Sequence, residues 1–490
     1  MKNIKSLTVL CGLFAVLSIL ATSCTKDFQS INTSPNSVIK PTLSLVLPDI
    51  ELTLLDNAYY TNITVLGQIM DQFSSYSADF TTLAIGSNPE YHFNYQYGTP
   101  IKNLVDFVNQ TQGQPALINY NSIGRILKVY AFQSVTDLYG DIPYFNAADG
   151  YITGNLQPTY DPQSKIYADM FTELQNAANN FDVTQTLAQN DIVYNGNITN
   201  WKKFAYSLML RLALRIEKVD PVNSAKWANV AYSSGLMQSN ADNFVVYYKP
   251  NTYYATTANG QCTPFVYYST WKLAAPLVDY LKSNNDPRIY IYSVLPNGDT
   301  VAAHQLGLPP NTPANLVPLP ITSYSVSPAT TLAQYSAPFI HLSYSQVQLM
   351  LSELSLKGII TGLGVNDAVS FYNNGVNAAM NELSIYGGNY TITQGSINTY
   401  IQKHQLNTAI ADTALSQINT QYWVETQYNF YEQFSNWRRS GYPVLNQSNY
   451  VIPRRLMYPV AENNINAAGV AAAVKDQGPD LTSTRVWWDK

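Results

Sequence analysis

Charged side chains are scarce in this sequence. Lys, Arg, Asp and Glu make up only 12% of its 490 residues, about half the share of an average soluble protein. Acidic residues outnumber basic ones, 32 to 27, so the chain lacks the excess of Lys and Arg with which proteins neutralise nucleic-acid phosphates. We therefore exclude a nucleic-acid partner and expect most of the polar surface to be uncharged.

Cysteine and histidine are also rare, with three and four copies. Cys11 and Cys24 lie at the N-terminus, which leaves Cys262 without a partner for a disulfide or a cysteine metal cluster. The histidines are far apart and form no His-Glu-x-x-His pattern, and a Gly-x-Ser-x-Gly motif is missing as well. We predict no catalytic residue, no metal site and no cofactor, and we expect Cys262 to be a small buried residue.

One long apolar run is present, and it lies at the N-terminus. Residues 7–21 are almost entirely apolar and follow Lys2 and Lys5, a pattern typical of a signal peptide and too short for a membrane-spanning helix. The run ends in Ala-Thr-Ser-Cys at residues 21–24, which resembles a bacterial lipobox. We predict that residues 1–23 are a lipoprotein signal peptide; an ordinary secretory signal with a chance cysteine is the alternative.

Lipobox processing would make Cys24 the acylated first residue of the mature protein. Two or more acyl chains anchor a protein stably to a membrane, and no later segment is apolar enough to span one. Residues 24–48 are rich in Ser, Thr, Asn and Pro, so we predict a lipidated tether there and a single domain over residues 49–490. The dipeptide Lys26-Asp27 loosely resembles a surface-export signal, which predicts that the protein faces the cell exterior.

Helical periodicity recurs along the rest of the chain. Apolar residues repeat with the 3.6-residue period of an α-helix in five segments. Helices of this length in pairs suggest tetratricopeptide-like hairpins, in which each unit buries its apolar face on a neighbour. We therefore predict a mainly α fold with little sheet. The five segments are residues 123–138, 166–181, 201–216 (capped by Asn200), 347–354 and 369–380.

Three long stretches between these segments lack helical periodicity: residues 74–99, 239–269 and 293–340. Connections this long are usually functional or disordered, and their many aromatic residues argue against disorder. Tyrosine is the conspicuous residue of the chain, with 38 copies against 17 Phe and 7 Trp. Its ring offers an apolar face to a sugar and its hydroxyl a hydrogen bond, so tyrosine-rich loops favour carbohydrate binding.

Two aromatic clusters occupy the first two stretches. For any single ring the alternative is that it packs the loop onto the helices, but we hypothesise that the two loops converge on one shallow pocket. The first cluster is Tyr76, Phe80, Tyr91, Phe93, Tyr95 and Tyr97, and the second is Tyr247, Tyr248, Tyr253, Tyr254, Tyr267 and Tyr268. The candidate ligand-binding residues are Tyr76, Tyr91, Tyr95, Tyr247, Tyr253 and Tyr254, with Asn251 and Asn259 as hydrogen-bonding groups.

From about residue 25 to its end the chain resembles the SusD/RagB nutrient-binding outer-membrane lipoproteins, in particular the subgroup with a WRRxGYP segment. Each matching segment is weak alone, but together, in this order behind a lipobox, they are specific. They are TDLYGDIPY (136–144), WKKFA (201–205), LRLALRI (210–216), NDPR (285–288), SEL (352–354) with Gly358, NWRRSGYP (436–443), IPRRLMYP (452–459) with Glu462, and WWD (487–489).

The resemblance implies a helical scaffold of tetratricopeptide-like pairs, a superhelix whose long loops carry the ligand site. It also implies a non-catalytic protein on the outer membrane that binds oligosaccharide or polysaccharide nutrients. Its partner would be a SusC-like TonB-dependent transporter, which it would cover as a lid while delivering the glycan. The alternatives are a peptide-binding member of the family, a surface glycoside hydrolase, or a structural surface protein.

The sequence contains two arginine pairs, Arg438/Arg439 and Arg454/Arg455. They could form a binding site for an anion, because the guanidinium group suits carboxylate or phosphate ligands. They flank Gly, Pro and aromatic residues inside family-pattern segments. We therefore predict that they form buried structural pairs, and we predict the same for the turn at residues 286–288.

The lipid anchor can be tested by substitution. Cys24→Ser removes the sulfur that accepts the diacylglycerol, so we expect an unlipidated protein that no longer fractionates with membranes. Cell fractionation with a carbonate wash and an immunoblot measures this, and Cys11→Ser inside the signal peptide is the matched control. Retention of Cys24→Ser in the outer-membrane fraction would show that the anchor lies elsewhere.

Overall fold

Helices dominate the computed structural model, which describes residues 42–56, 58–76, 87–250, 257–268, 270–312, 314–387, 390–445 and 451–490. Residues 46–490 form one compact unit, and of the other unit, residues 1–45, only 42–45 are described. The α-helices are α1 (Leu43–Thr53), α2 (Gly67–Ile69), α3 (Ser87–Gln96), α4 (Lys102–Thr111), α5 (Ile118–Tyr139), α6 (Gly150–Thr153), α7 (Gln163–Asn180), α8 (Ile198–Arg215), α9 (Pro221–Ser234), α10 (Thr263–Tyr267), α11 (Ala275–Ser283), α12 (Ile289–Tyr292), α13 (Tyr344–Leu356), α14 (Val365–Glu382), α15 (Gln394–Lys403), α16 (Ala411–Glu425), α17 (Phe430–Ser440), α18 (Glu462–Ile465) and α19 (Ala467–Gln477).

Helices that follow one another pack as pairs. The pairs α4–α5, α8–α9 and α13–α14 are in extensive contact, and their short connections make such neighbours antiparallel. Helix α5 also packs extensively on α7, to which it is joined by a longer segment, residues 140–162. The α13–α14 pair is close because Gly375 has no side chain: a Cβ there would lie 2.9 Å from Leu349 Cγ. Next to it, the Ser345 hydroxyl donates a hydrogen bond to the Gly375 carbonyl at 2.9 Å. The helical-pair scaffold predicted from periodicity is confirmed.

All five predicted helical segments lie within or overlap helices, namely α5, α7, α8, α13 and α14. The predicted cap of α8 was wrong by one turn. Asn197 is the residue that caps this helix, because its side chain accepts a hydrogen bond from the Asn200 amide at 3.2 Å. Asn200 itself is already helical. Both residues are good capping types, so sequence alone could not choose between them.

The strands are few and short. They form three two-stranded antiparallel sheets, in the pairs β1–β5, β2–β3 and β4–β6. The strands are β1 (Phe73–Ser75), β2 (Ile142–Pro143), β3 (Tyr160–Asp161), β4 (Phe244–Val246), β5 (Trp271–Leu273) and β6 (Phe339–Leu342). The prediction of little sheet is confirmed for the described residues.

The first predicted loop is partly wrong, because α3 lies inside residues 74–99 and a π-helical turn, Tyr97–Ile101, follows it. Helix α3 shows no apolar stripe since two of its buried residues are His92 and Gln96. Pro89 and Glu90 in its first turn are typical of a helix N-terminus and could have indicated the helix from the sequence.

Where the structure describes them, the other two predicted loops hold only short elements. Residues 293–340 are irregular apart from 3₁₀ turns and the start of β6, as predicted. Residues 239–269 contain β4, α10 and two 3₁₀ turns. The 3₁₀ turns of the described chain are Pro115–Leu117, Asn240–Asp242, Gly260–Cys262, Ala302–His304, Ala314–Leu316, Ile321–Ser323 and Leu383–Tyr386, and a π-helical segment spans Tyr60–Leu66.

Charged side chains are buried together where α5, α8 and α17 meet. Arg215 Nη2 lies 2.6 Å from Glu432 and its Nε lies 3.4 Å from Asp137. Arg211 Nε lies 3.5 Å from the same Glu432 carboxylate. Burial disfavours the charge of Glu432, but the two arginines outweigh it and lower the pKa of this group. We call these four residues the ion network; it connects three helices because a charge in the core is stable only beside its partners.

The arginine pairs are structural, and Arg438, Arg439 and Arg455 are buried, as predicted. Arg454 is only partly buried, with 19% of its side chain exposed. Arg439 binds both oxygens of Glu353, at 2.6 and 2.8 Å. Arg438 is buried between the rings of Phe434 and Trp488, 4.2 and 4.6 Å from their centroids. The partners of the other arginines are Asp489 for Arg454, Asp480 for Arg455 and Asp286 for Arg288.

Cys262 is fully buried, as predicted, and burial raises the pKa of its thiol to about 12. The thiol is therefore neutral and unreactive at physiological pH. Among the described residues, no helix combines the length and the apolar character needed to cross a membrane.

The ion network predicts that a single substitution within it lowers the free energy of unfolding strongly. Glu432→Gln leaves Arg211 without its buried counter-ion and Arg215 with Asp137 alone, so the free energy of unfolding should fall by about 3–5 kcal/mol. Urea unfolding followed by circular dichroism measures it. The matched control is Glu217→Gln, which removes a partly exposed pair with Lys357 and should cost less than about 1 kcal/mol. Similar losses in both variants would contradict a special role of the network.

Candidate functional site

The small sheet β1–β5 brings the two tyrosine-rich segments to one place. Ser75 lies opposite Trp271 in this sheet, and the Tyr76 amide donates a hydrogen bond to the Thr270 carbonyl at 2.9 Å. Tyr76 therefore lies beside Thr270, the residue that precedes β5. Antiparallel pairing explains this convergence, since the end of one strand lies beside the start of the other.

Helix α3 carries the first two rings of the site. Tyr91 and Tyr95 are four residues apart, so they lie one above the other on the same helix face. Their rings stack with centroids 6.0 Å apart and planes at 21°. The ring of Tyr60 meets Tyr91 edge-on at 5.2 Å.

The row of rings continues to the second segment. Tyr59 lies 4.8 Å from Tyr60 and 6.2 Å from Tyr268, and Tyr268 lies 5.3 Å from Tyr267. All of these centroid distances are within the range of favourable aromatic contact. We call the six residues Tyr95, Tyr91, Tyr60, Tyr59, Tyr268 and Tyr267 the tyrosine row.

Exposure changes along the tyrosine row. Tyr59 is buried, with 8% of its surface exposed, whereas Tyr268 and Tyr267 are 40% and 68% exposed. Tyr60, Tyr91 and Tyr95 are half-buried. The buried ring fixes the row on the scaffold, and the rings at the Tyr267 end present their faces to solvent, where a ligand can stack on them.

The amide of Gln261 ties the segments of the row together. It is fully buried, and its Nε2 donates to the carbonyls of Asp56 and Ala58 at 2.6 and 2.9 Å. Its Oε1 accepts from Asn62 at 3.0 Å. Nδ1 of His92, on α3, lies 3.2 Å from the Asp56 carboxylate. Satisfied buried networks of this kind rigidify a site.

Two tyrosine hydroxyls at this site, those of Tyr95 and Tyr248, are neutral. Burial raises the pKa of both Tyr95 and Tyr248, and the negative charge of Asp56 raises them further. The Tyr248 hydroxyl donates to the Leu52 carbonyl at 3.3 Å. Protonated hydroxyls donate and accept hydrogen bonds without charge, which suits a ligand rich in hydroxyl groups.

The remaining candidates occupy different positions. Tyr76 is half-buried beside Thr270, and Tyr247 is 60% exposed. Asn259 is buried; its Nδ2 donates to the Ala337 carbonyl at 2.9 Å and its Oδ1 accepts from the Gln261 amide. These bonds favour a structural role for Asn259 over ligand contact. Asn251, Tyr253, Tyr254 and Phe80 lie outside the described residues.

Tyr59 and Tyr60 were missed by the sequence analysis. They lie outside the long irregular stretches, since Tyr59 precedes the π-helical segment and Tyr60 is its first residue, so a search confined to loops passed over them. The adjacent pair itself was the available signal, because two neighbouring aromatic residues close to the first tyrosine cluster are unusual. Two other cluster members are structural: Phe93 is buried, and the Tyr97 hydroxyl donates to the Pro143 carbonyl at 2.5 Å.

Two carboxyl groups, Glu382 and Glu425, share a hydrogen bond inside the protein. Burial raises the pKa of Glu425 to about 7, and burial and the charge of Glu425 together raise that of Glu382. Glu382 is therefore the protonated partner. They line a closed cavity of about 20 Å³, room for one water molecule. Among the described residues, no group of three or more His, Cys, Asp or Glu is arranged to hold a metal ion.

The chain matches one protein family. The model of the SusD-like family, described as starch-binding and associating with the outer membrane, matches residues 35–459. No curated protein sequence matches the chain.

Solved structures agree with this match. A chitin-binding protein is 30% identical and superposes with a TM-score of 0.80, over 92% of this chain and 100% of its own. A Bacteroidetes SusD-like protein is 23% identical, with a TM-score of 0.81 over 92% of this chain and 100% of its own. A chitin-binding SusD homolog from Flavobacterium johnsoniae is 21% identical, with a TM-score of 0.74 over 91% of this chain and 98% of its own.

The Glu382–Glu425 pair predicts how stability changes with pH. The pKa of Glu425 is about 7 in the folded protein, against 4.5 for an unperturbed Glu. Its protonation therefore stabilises the fold fully below pH 4.5, and that stability is lost as the pH rises through 7.

We expect Glu425 to contribute roughly 3 kcal/mol to the loss of stability over this pH range. Glu425→Gln, which mimics the protonated acid, should lose that much less, since other groups with a raised pKa, such as Asp141, affect both proteins alike. Urea unfolding of both proteins between pH 4.5 and pH 8 measures the difference. Curves for the two proteins that stay parallel over this range would contradict the assignment.

Proposed function

The chain belongs to the SusD-like family of starch-binding, outer-membrane-associated proteins, and from this premise we propose that it binds glycans at the outer membrane without cleaving them. The tyrosine row is the observation that carries the proposal. It ends in two exposed rings, Tyr268 and Tyr267, and aromatic faces suit the C–H side of a sugar ring. The chitin-binding relative at 30% identity supports the same ligand class.

We assign the glycan site to the exposed end of the tyrosine row and the segments beside it. Tyr267 and Tyr268 would stack on sugar rings, while Tyr91, Tyr95 and Tyr60 support them from behind. Tyr76 is next to Thr270 and would extend the same surface. Tyr247, Tyr253, Tyr254 and Asn251 remain candidates for the same site on the sequence pattern.

A lipid anchor and a transporter complete the proposed function. Lipidation of Cys24 would attach the protein to the outer membrane. The tether after it, which the start of α1 at Leu43 makes shorter than the predicted residues 24–48, would extend the protein toward the cell exterior. A SusC-like TonB-dependent transporter would receive the glycan, with this protein as its lid. Family membership and the lipobox-like segment at residues 21–24 support this arrangement.

A hydrolase is less well supported. Glycosidases place two carboxylates about 5–9.5 Å apart across an open cleft. Glu382 and Glu425 instead share a direct hydrogen bond and are 3% and 7% exposed. This geometry suits a buried structural pair better than an acid and a nucleophile that must reach a substrate.

The glycan site is tested by removing its exposed rings. In Tyr267→Ala/Tyr268→Ala we expect the affinity for chitohexaose or maltohexaose to fall at least about tenfold, because each stacked ring contributes about 1–3 kcal/mol. Isothermal titration calorimetry measures the affinity. Since both rings are exposed, the melting temperature should stay nearly unchanged.

The matched control is Tyr232→Ala, which removes a ring on α9 that is 38% exposed and should leave binding intact. Unchanged affinity of the double variant would place the site elsewhere. Binding of a peptide mixture but of neither sugar would favour the peptide-binding alternative, and release of shorter sugars on incubation would show a hydrolase.

A further inference from the structure

A second groove lies between helix α15 and the segment that joins α11 to α12. Its volume is about 460 Å³, within the range of small-molecule sites. The residues that give it its chemistry are Asn285 and Tyr290 on one side and Thr393, Ser396, Thr399 and Lys403 on the other. Because three of the α15 residues are spaced by three or four positions, they lie along one face of the helix.

The lining of this groove carries one charged side chain and is rich in neutral hydrogen-bonding groups. No carboxylate lies among its lining residues, and Lys403 is its one charged side chain. The hydroxyls of Ser396 and Thr399 bond locally, to Thr393 and to the Gly395 carbonyl, but each oxygen retains acceptor capacity. Tyr290 is 56% exposed and presents an aromatic face to the groove.

The floor of the groove is rigid because a buried arginine connects its two sides. Arg288 is fully buried and contacts both oxygens of Asp286, in the segment that carries Asn285 and Tyr290. Its Nη2 also donates to Gln421 Oε1 at 2.7 Å, and Gln421 in turn donates to the Tyr400 hydroxyl of α15 at 2.9 Å. Both sides are therefore held in place before any ligand binds.

A further hydrogen bond joins the two sides of the groove at the C-terminal end of α15. Nε2 of His404 lies 2.9 Å from the Asn284 carbonyl oxygen, and the ring of His404 packs on Tyr400 with centroids 4.3 Å apart. The next residue, Asn285, has a positive φ of 50°, a conformation that Asn tolerates better than most residues. A preformed site binds its ligand with a smaller entropic cost.

We propose that this groove is a second glycan-binding site, in which Tyr290 stacks on a sugar ring and Asn285, Ser396, Thr399 and Lys403 bind its hydroxyls. The ligand class rests on the proposed function. No described residue lines both the groove and the tyrosine row. A polysaccharide long enough to reach both sites would be bound at two points, which strengthens binding without any new contact at either one.

The groove is tested with long and short ligands. In Tyr290→Ala we expect the affinity for colloidal chitin or soluble starch to fall about tenfold, as loss of one of two linked sites predicts. The affinity for the corresponding hexasaccharide at the tyrosine row should stay unchanged. Thr399→Trp, which fills the groove and leaves Tyr290 in place, should have the same effect. Pull-down and affinity electrophoresis measure polysaccharide binding, and calorimetry measures hexasaccharide binding.

Tyr232→Ala is again the matched control and should bind polysaccharide like the unmodified protein. Unchanged polysaccharide binding in Tyr290→Ala and Thr399→Trp, beside a loss in Tyr267→Ala/Tyr268→Ala, would overturn the second site and leave the proposed function intact. Failure of the unmodified protein to bind any polysaccharide would overturn both.

Discussion

The buried contact between Arg215 and Glu432 is the interaction on which the scaffold depends. It joins α8 to α17, more than 200 residues apart in sequence, and its neighbour Asp137 adds α5. Asp137 also accepts a hydrogen bond from the indole of Trp488 at 3.0 Å, near the C-terminus. Three of the segments that identify the family, residues 136–144, 210–216 and 487–489, therefore meet at one place in the core. The charged residues in these segments cannot be exchanged freely, because a buried charge without its partner is strongly destabilising.

The ligand surface depends on this scaffold but is built by weaker interactions. A three-residue strand pair and the buried amide of Gln261 bring α3, the Tyr59–Tyr60 pair and the segment before β5 together. The rings at the exposed end, Tyr267 and Tyr268, lie largely outside the core. Because the surface and the scaffold depend on different residues, the surface can vary in sequence, and with it the ligand, while the ion network maintains the fold.

The scarcity of charge has a structural counterpart. Many of the charged side chains are inside, in the ion network, in the Arg439–Glu353 pair and in the Glu382–Glu425 pair. The two proposed binding surfaces consist mainly of tyrosine, hydroxyl and amide groups. A neutral surface is suited to sugars, which carry many hydroxyls and offer little for an ion pair to bind.

The sequence by itself determined the helical scaffold, the small amount of sheet, the burial of Cys262, the structural role of the arginine pairs, and the family. These follow from local periodicity and from side chains with a strong preference for one environment. Only the tertiary structure decided that α3 is helical, that Asn259 is buried and that Tyr59 and Tyr60 link the two tyrosine segments. Helix α3 has no apolar stripe to reveal it, and the tyrosine row joins residues about 200 positions apart through the β1–β5 pair. Such contacts have no local signal, because they depend on the register of two short strands that only the folded core brings together.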